Sequence, residues 1–91
     1  MKIYAGTIVE ISKLDPDGTG HQKKKVQLEE EINQTSFIEF NGSRMLALLS
    51  EFKEGDNVLI GAVNKGSVSR SGAKYNNIIA KTIKALKNQT V

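Results

Sequence analysis

Apolar and polar residues alternate along most of this chain, which is typical of short, half-buried β-strands. The clearest case is residues 23–30, where Val26 and Leu28 share one face and the residue between them is polar. Gly6 interrupts a similar run near the start of the chain and predicts a bend or bulge there. Runs rich in β-branched and apolar residues predict four further strands, at residues 1–14, 35–40, 57–68 and 75–87.

One segment follows a helical period instead. After Ser43, apolar residues recur at the spacing of one helix face, which predicts a single helix of about ten residues over 44–52 with Ser43 as its N-cap. Residues 80–87 also contain good helix formers, although their β-branched members favour a strand. Phe37 and Phe40 fall on opposite faces of the predicted third strand, and the pattern leaves open which of them faces solvent.

Segments rich in glycine and polar residues separate these elements. The one proline and two glycines lie within residues 15–20, which predicts a turn or flexible loop after the first strand. Residues 31–34 predict a hairpin turn. Residues 69–74, which include Arg70 and Lys74, predict a second flexible loop.

The predicted order is three strands, one helix and two strands. Short all-β chains protect their sheet edges best by closing into a barrel. Five strands with a short helix between strands 3 and 4 is the order of the OB-fold, so we expect an all-β, five-stranded OB-fold barrel. The alternative is an SH3-type barrel, in which a helix at that point is not expected. The barrel is expected to form one domain over residues 1–87, with a polar tail over residues 88–91.

Positive charge is concentrated toward the C-terminal end of the chain. The net charge is +3, yet residues 57–91 carry six basic residues and no acid. A basic segment without acids favours a polyanionic partner such as nucleic acid. The same charge could also serve only to keep a basic protein soluble, and charge alone does not separate the two interpretations.

Few side chains suited to catalysis or metal binding are present. The chain has no cysteine and one histidine, which excludes disulfides, thiolate metal sites and zinc sites with several histidines. It also lacks a phosphate-binding loop motif, so we expect no cofactor, no small-molecule substrate and no enzymatic activity. No apolar run is long enough for a membrane span or a signal peptide, so a cytoplasmic protein without a membrane partner is expected.

Four segments, taken in order, carry a resemblance to a known family. They read AGTIVEI from Ala5, KKKVQL from Lys23, KEGDNV from Lys53 and GAKYNNIIA from Gly72. On these segments, residues 3–86 resemble the bacterial single-stranded DNA-binding proteins, and more closely a small bacterial OB-fold family of unknown function that is related to them. The resemblance implies an OB-fold, non-catalytic binding of single-stranded DNA in replication, recombination or repair, and assembly into homo-oligomers.

Two departures limit what the resemblance implies. Single-stranded DNA-binding proteins usually carry tryptophan or several aromatic residues on the binding face, whereas this chain has no tryptophan and five aromatic residues. They also usually end in an acidic tail that recruits partners, and this sequence ends in KNQTV. We therefore expect modest affinity and no recruitment of partners through an acidic tail.

Single-strand binding needs cations along the phosphates and flat rings on which bases stack. In an OB-fold the loops after strands 1 and 4 flank the face formed by strands 2 and 3. Phe37 and Tyr75 are therefore the stacking candidates. The basic candidates lie at the start of strand 2 and around the loop after strand 4: Lys23, Lys24, Lys25, Lys65, Arg70 and Lys74. RNA could use the same face, and the scarcity of aromatic residues leaves open an interaction or oligomerisation module that binds nucleic acid only weakly.

Overall fold

Six strands and one helix account for most of the residues that the computed structural model describes, namely 1–16, 22–31 and 34–86. The five long strands lie close to where the sequence predicts them, and the last strand continues to Ala85 without becoming helical. The helix is also present, but it covers residues 42–49 instead of the predicted 44–52. The predicted polar tail, residues 88–91, and most of the predicted loop after the first strand lie outside the described residues. In chain order the elements are β1 (Lys2–Ile11), β2 (Asp15–Pro16), β3 (Gln22–Glu31), β4 (Gln34–Asn41), α1 (Gly42–Leu49), β5 (Asn57–Val68) and β6 (Lys74–Ala85).

The strand pairings close the sheet into a barrel. The strand β1 pairs antiparallel with β5 through residues 2–7 and with β3 through residues 7–11. The strands β3 and β4 form one antiparallel pair, β5 and β6 form another, and a short parallel pairing of β4 with β6 joins them. The circular order β1-β5-β6-β4-β3 is that of the predicted five-stranded OB-fold barrel, which is thereby confirmed.

Inward-facing side chains of the long strands fill this barrel. The helix α1 contacts β3, β4 and β6, and it adds Met45 and Leu49 to the core. Burial of these apolar side chains is the main force that holds the closed sheet together. Four of the strands, β1, β3, β4 and β5, contribute the largest fully buried side chains: Ile8, Val26, Leu28, Ile38, Phe40, Val58 and Ile60.

Gly6 allows β1 to pass close to β3, and it does not mark a bulge. A Cβ atom at this position would overlap the backbone carbonyl of Glu29. The irregular pairing of β1 with β3 lies between Ile8 and Glu10 instead, so the predicted bulge at Gly6 is wrong. The close approach arises because β1 changes partner at Thr7, from β5 to β3.

The helix α1 begins two residues earlier than the sequence predicts. Its N-cap is Asn41, and Ser43 is already inside the helix, so the prediction that Ser43 caps it is wrong. Gly42, at a φ of 88°, makes the sharp change of direction from β4 into the helix. Among the described residues, no helix has the length and apolar character needed to cross a membrane.

Candidate nucleic-acid interface

The two phenylalanines of β4 lie on opposite faces of the strand. Phe40 is fully buried in the core, whereas Phe37 is 55% exposed on the outer surface. In the ladder Phe37 lies opposite Gln27 of β3. The sequence leaves open which of the two phenylalanines faces solvent, and the structure shows that it is Phe37. An exposed ring with polar neighbours has the geometry of a platform on which a flat ligand can stack.

Two lysines of β3 lie on the same outer face as Phe37. Alternation along the strand places Lys23 and Lys25 on that face, with Lys25 exposed and Lys23 half-buried. Lys24 lies opposite the buried Phe40 in the ladder and therefore on the other face. The three consecutive lysines that the sequence singles out are thus divided between the two faces of the sheet.

Glu39 is an acid within this basic surface. Its carboxylate lies 3.8 Å from the Nζ of Lys23, and its backbone is opposite Lys25 in the ladder. Although alternation places it on the outer face with Phe37, Glu39 is only 8% exposed. Next to Glu39, Lys23 and Lys25 outnumber its carboxylate, whereas Glu29 lies farther along the same face of β3.

A cleft opens beside Phe37 where β4 and β6 separate. The two strands pair at Ile38 with Ile78 and at Glu39 with Ile79, and they diverge toward their N-terminal ends. The cleft has a volume of about 300 Å³. Amide and hydroxyl groups surround the exposed ring, and the full lining is Lys25, Thr35, Ser36, Phe37, Glu39, Asn76, Asn77 and Ile78.

Beyond the barrel, β5 and β6 continue as a two-stranded arm, residues 64–77. In this part of the described chain the two strands pair only with each other, because β1 leaves β5 at Ala62 and β4 joins β6 at Ile78. Lys65 lies opposite Asn77, and Lys74 lies opposite Val68. The arm contains Lys65, Arg70 and Lys74 and no acid, so its field is uniformly positive.

The turn at the tip of the arm is held by hydrogen bonds. The N–H of Ser69 donates to the carbonyl oxygen of Ala73 at 2.8 Å, and the N–H of Gly72 donates to the carbonyl oxygen of Ser69 at 2.9 Å. The hydroxyl of Ser69 accepts a further bond from the N–H of Ala73 at 3.1 Å. Arg70 is exposed on this turn. The segment predicted as a flexible loop is therefore a closed hairpin turn that presents Arg70 at a defined place.

Three depressions join along this surface. The depression on the arm has a volume of about 330 Å³ and is lined by Gly66, Ser67, Val68, Lys74 and Asn76. It shares Asn76 with the cleft, and the cleft shares Lys25 and Glu39 with a smaller depression of about 70 Å³ at Lys23 and Lys24. We call these three neighbouring depressions, from Val68 through Phe37 to Lys23, the track.

Four of the eight residues that the sequence predicts for binding lie on the outer face and line the track: Lys23, Lys25, Phe37 and Lys74. Lys24 borders the depression at Lys23, but strand alternation directs its side chain to the other face of the sheet. Lys65 and Arg70 belong to the arm beside it. The backbone of Tyr75 pairs with Ser67 in the arm, and its side chain lies outside the part of the chain that the structure describes. The basic residues of β3 and those of the arm are up to 51 positions apart in the sequence. They come together on one side of the barrel because β3 and β6 both border β4.

Sequence reasoning missed the polar residues of the track. Thr35 and Ser36 line it from β4, and Asn76 and Asn77 line it from β6. The available signal was the pair of asparagines at the start of a strand that is otherwise rich in isoleucine and alanine, since asparagine is depleted in strands. Glu39 gave no such signal, because an acid on the outer face of a strand is ordinary.

Comparison with known proteins identifies the fold. No family model and no curated protein matches the chain. Among solved structures it is similar to a crystal structure of Rim1, a mitochondrial single-stranded DNA-binding protein from S. cerevisiae, with 19% identity, a TM-score of 0.59, and coverage of 99% of this chain and 96% of that chain. A selenomethionine-labelled crystal of Rim1 gives 20% identity, a TM-score of 0.56, and coverage of 97% and 95%. The likeness in fold that the sequence predicts is confirmed, and the chain has the OB-fold found in single-stranded DNA-binding proteins.

Proposed function

We propose that this protein is a non-catalytic OB-fold protein that binds single-stranded DNA along the track and acts in DNA replication, recombination or repair. The observation that carries the proposal is the exposed ring of Phe37, which lines a polar cleft together with Lys25. A stacking ring next to a cation is the combination that sequence-independent single-strand binding requires. Similarity in fold to Rim1, a mitochondrial single-stranded DNA-binding protein, adds support.

In this proposal the different parts of the track bind different parts of the DNA strand. A base stacks on Phe37 within the cleft, while Lys25 and Lys23 attract phosphates on the β3 side. On the other side the strand continues over the acid-free arm, where Lys74 lines the depression and Arg70 extends from the turn. Duplex DNA keeps its bases stacked on one another, so only a single strand can use the ring of Phe37.

The test is fluorescence anisotropy of a labelled oligothymidine of about 30 nucleotides, long enough to cover one OB-fold site. The protein is titrated into this probe at low and at moderate salt, with duplex DNA and oligouridine of the same length measured beside it. We expect tighter binding to the single strands than to the duplex, and weaker binding as salt rises. No binding to any single strand at low salt would overturn the proposal.

Phe37→Ala separates stacking from charge attraction. Loss of one stacked base costs about 1–3 kcal/mol, or roughly a fivefold to 150-fold rise in Kd. The matched control is Val9→Ala, because Val9 is 43% exposed on β1 and does not line the track. Val9→Ala is expected to leave Kd unchanged. Equal binding to duplex and single strand, unaffected by Phe37→Ala, would mean that charge alone attracts DNA.

A second candidate is an interaction module that oligomerises, and one observation favours it. Met1 and Ile3 are 71% and 57% exposed, and both lie at the start of β1 or next to it. Exposed apolar side chains close together mark contact surfaces. Sedimentation velocity of the protein and of Ile3→Lys tests it, since a charge in an apolar contact dissociates an oligomer. A monomer at all concentrations would remove this candidate.

A further inference from the structure

Glu39 is largely buried as a residue, yet its carboxylate opens onto the track. Among the described residues no fully buried side-chain oxygen lacks a hydrogen-bond partner, and Glu39 lines two open depressions. The residue is 8% exposed, and within the described residues no hydrogen bond reaches its carboxylate. The nearest cation, the Nζ of Lys23, is 3.8 Å away, which is an ion-pair distance and too long for a hydrogen bond. A carboxylate that opens onto a cleft and has no donor from the protein is an acceptor that a ligand can satisfy.

The position of Glu39 directs that acceptor toward the proposed ligand. Glu39 lines both the cleft and the depression at Lys23, so it lies where these two parts of the track meet. It is two residues from Phe37 on the same outer face of β4, a separation of about 7 Å along a strand. That is close to the width of a nucleobase, so the edge of a base that stacks on Phe37 can reach Glu39.

The four DNA bases differ in what they offer to a carboxylate. The Watson–Crick edge of guanine presents two adjacent donors, N1–H and N2–H, which fit the two carboxylate oxygens. Adenine and cytosine each present one amino group beside a ring nitrogen that is an acceptor and repels the carboxylate. The single N3–H of thymine is flanked by two carbonyl oxygens, which oppose the approach of an anion on both sides.

We propose that Glu39 reads the base stacked on Phe37 and makes the cleft selective for guanine over thymine in single-stranded DNA. This inference rests on the proposed function, because it requires a nucleic-acid strand in the track. Lys23 and Lys25 flank the carboxylate and offset its repulsion of the phosphates. The track therefore combines base-independent attraction along the backbone with one position that prefers a particular base.

The first test uses the unchanged protein and three competitor strands against labelled oligothymidine. One competitor is oligothymidine itself, the second carries guanine at every fourth position, and the third carries inosine at those positions. The guanines are spaced apart so that the strand does not form four-stranded guanine structures. Inosine keeps the N1–H donor of guanine but lacks its amino group. We expect the guanine strand to compete about tenfold better than oligothymidine, with the inosine strand between them. Equal competition by guanine and thymine strands overturns the inference.

The second test removes the negative charge and keeps the shape of the side chain. Glu39→Gln is expected to abolish most of the preference for guanine while it leaves the Kd for oligothymidine equal or slightly lower. Glu29→Gln is the matched control, because Glu29 is an exposed acid on the same outer face of β3 and does not line the cleft. If Glu29→Gln lowers the preference as much as Glu39→Gln does, the effect is one of general charge and the inference is overturned.

The outcomes separate this inference from the proposed function. No binding of any single strand overturns both. Binding of oligothymidine that depends on Phe37, without a preference for guanine, leaves the proposed function intact and overturns the role of Glu39. A drop in thermal stability of Glu39→Gln with an unchanged preference would assign Glu39 to a structural ion pair and also overturn it. The comparison of guanine, inosine and thymine strands needs no variant, so it remains decisive if Glu39→Gln fails to fold.

Discussion

Phe37 and Phe40 lie three residues apart on β4 and face opposite sides of it, one 55% exposed and the other fully buried. Substitution of the buried ring therefore tests stability, and substitution of the exposed ring tests binding. We expect Phe40→Ala to lower the free energy of unfolding by about 3–5 kcal/mol, because it leaves a cavity in the core. Phe37→Ala should lower it by less than about 0.5 kcal/mol. Urea denaturation followed by circular dichroism measures both, and equal losses would contradict the faces assigned to the rings.

Gly6→Ala tests the close passage of β1 over β3. The added methyl group meets the backbone of Glu29, which no rotamer change can move away. We expect the free energy of unfolding to fall by about 1–3 kcal/mol, as for other overpacked sites. Gly66→Ala, at an exposed position of the arm, is the control and should change it by less than about 0.5 kcal/mol. Two variants of equal stability would show that β1 and β3 can separate without cost.

Ser43→Ala tests the start of the helix. An N-cap serine contributes about 1 kcal/mol, whereas a serine inside the first turn contributes little. Because Asn41 is the N-cap, we expect Ser43→Ala to change the free energy of unfolding by less than about 0.5 kcal/mol. Met45→Ala, which removes a buried side chain from the same helix, should cost about 2–5 kcal/mol. Thermal or urea unfolding of the two variants distinguishes them.

Salt dependence tests the contribution of the arm. For single strands the slope of log Kobs against log salt falls by about 0.7 for each phosphate contact removed. The double variant Arg70→Gln with Lys74→Gln should therefore reduce the magnitude of the slope by about 1.4. The double variant Lys53→Gln with Lys84→Gln loses the same charge away from the arm and should leave the slope nearly unchanged. Identical slopes in both variants would indicate that the arm does not contact the phosphates.

The strands were predictable because their signal is local. Alternation over a few residues is enough to identify β3, and the change of period after β4 is enough to locate the helix. The start of the helix is two residues off because Asn41 and Ser43 are equally good N-cap residues, and asparagine followed by glycine also fits a turn. The role of Gly6 also escaped the pattern, since a glycine inside a strand fits a bulge and a close approach equally well.

The site was predictable only in part, because register is not a local property. The sequence shows three adjacent lysines, but only pairing with β4 reveals that Lys24 lies on the opposite face from Lys23 and Lys25. Likewise the acid nearest to Lys23 in space is Glu39 of the next strand. The asparagines of β6 line the same cleft as Phe37 because a parallel pairing joins β4 and β6, which are far apart in the chain.

The double pairing of β1 constrains the order in which this protein can fold. Residues 7–11 of β1 pair with β3, whereas residues 2–7 of β1 pair with β5. The part of β5 that pairs with β1 extends to Ala62, much later in the chain. A growing chain can form the pairs β1–β3 and β3–β4 early, while the first residues of β1 remain without their partner until β5 has been synthesised. Closure is therefore a late, non-local event, and such events make folding slow compared with that of helical proteins. The segment that is made first is among the last to be completed.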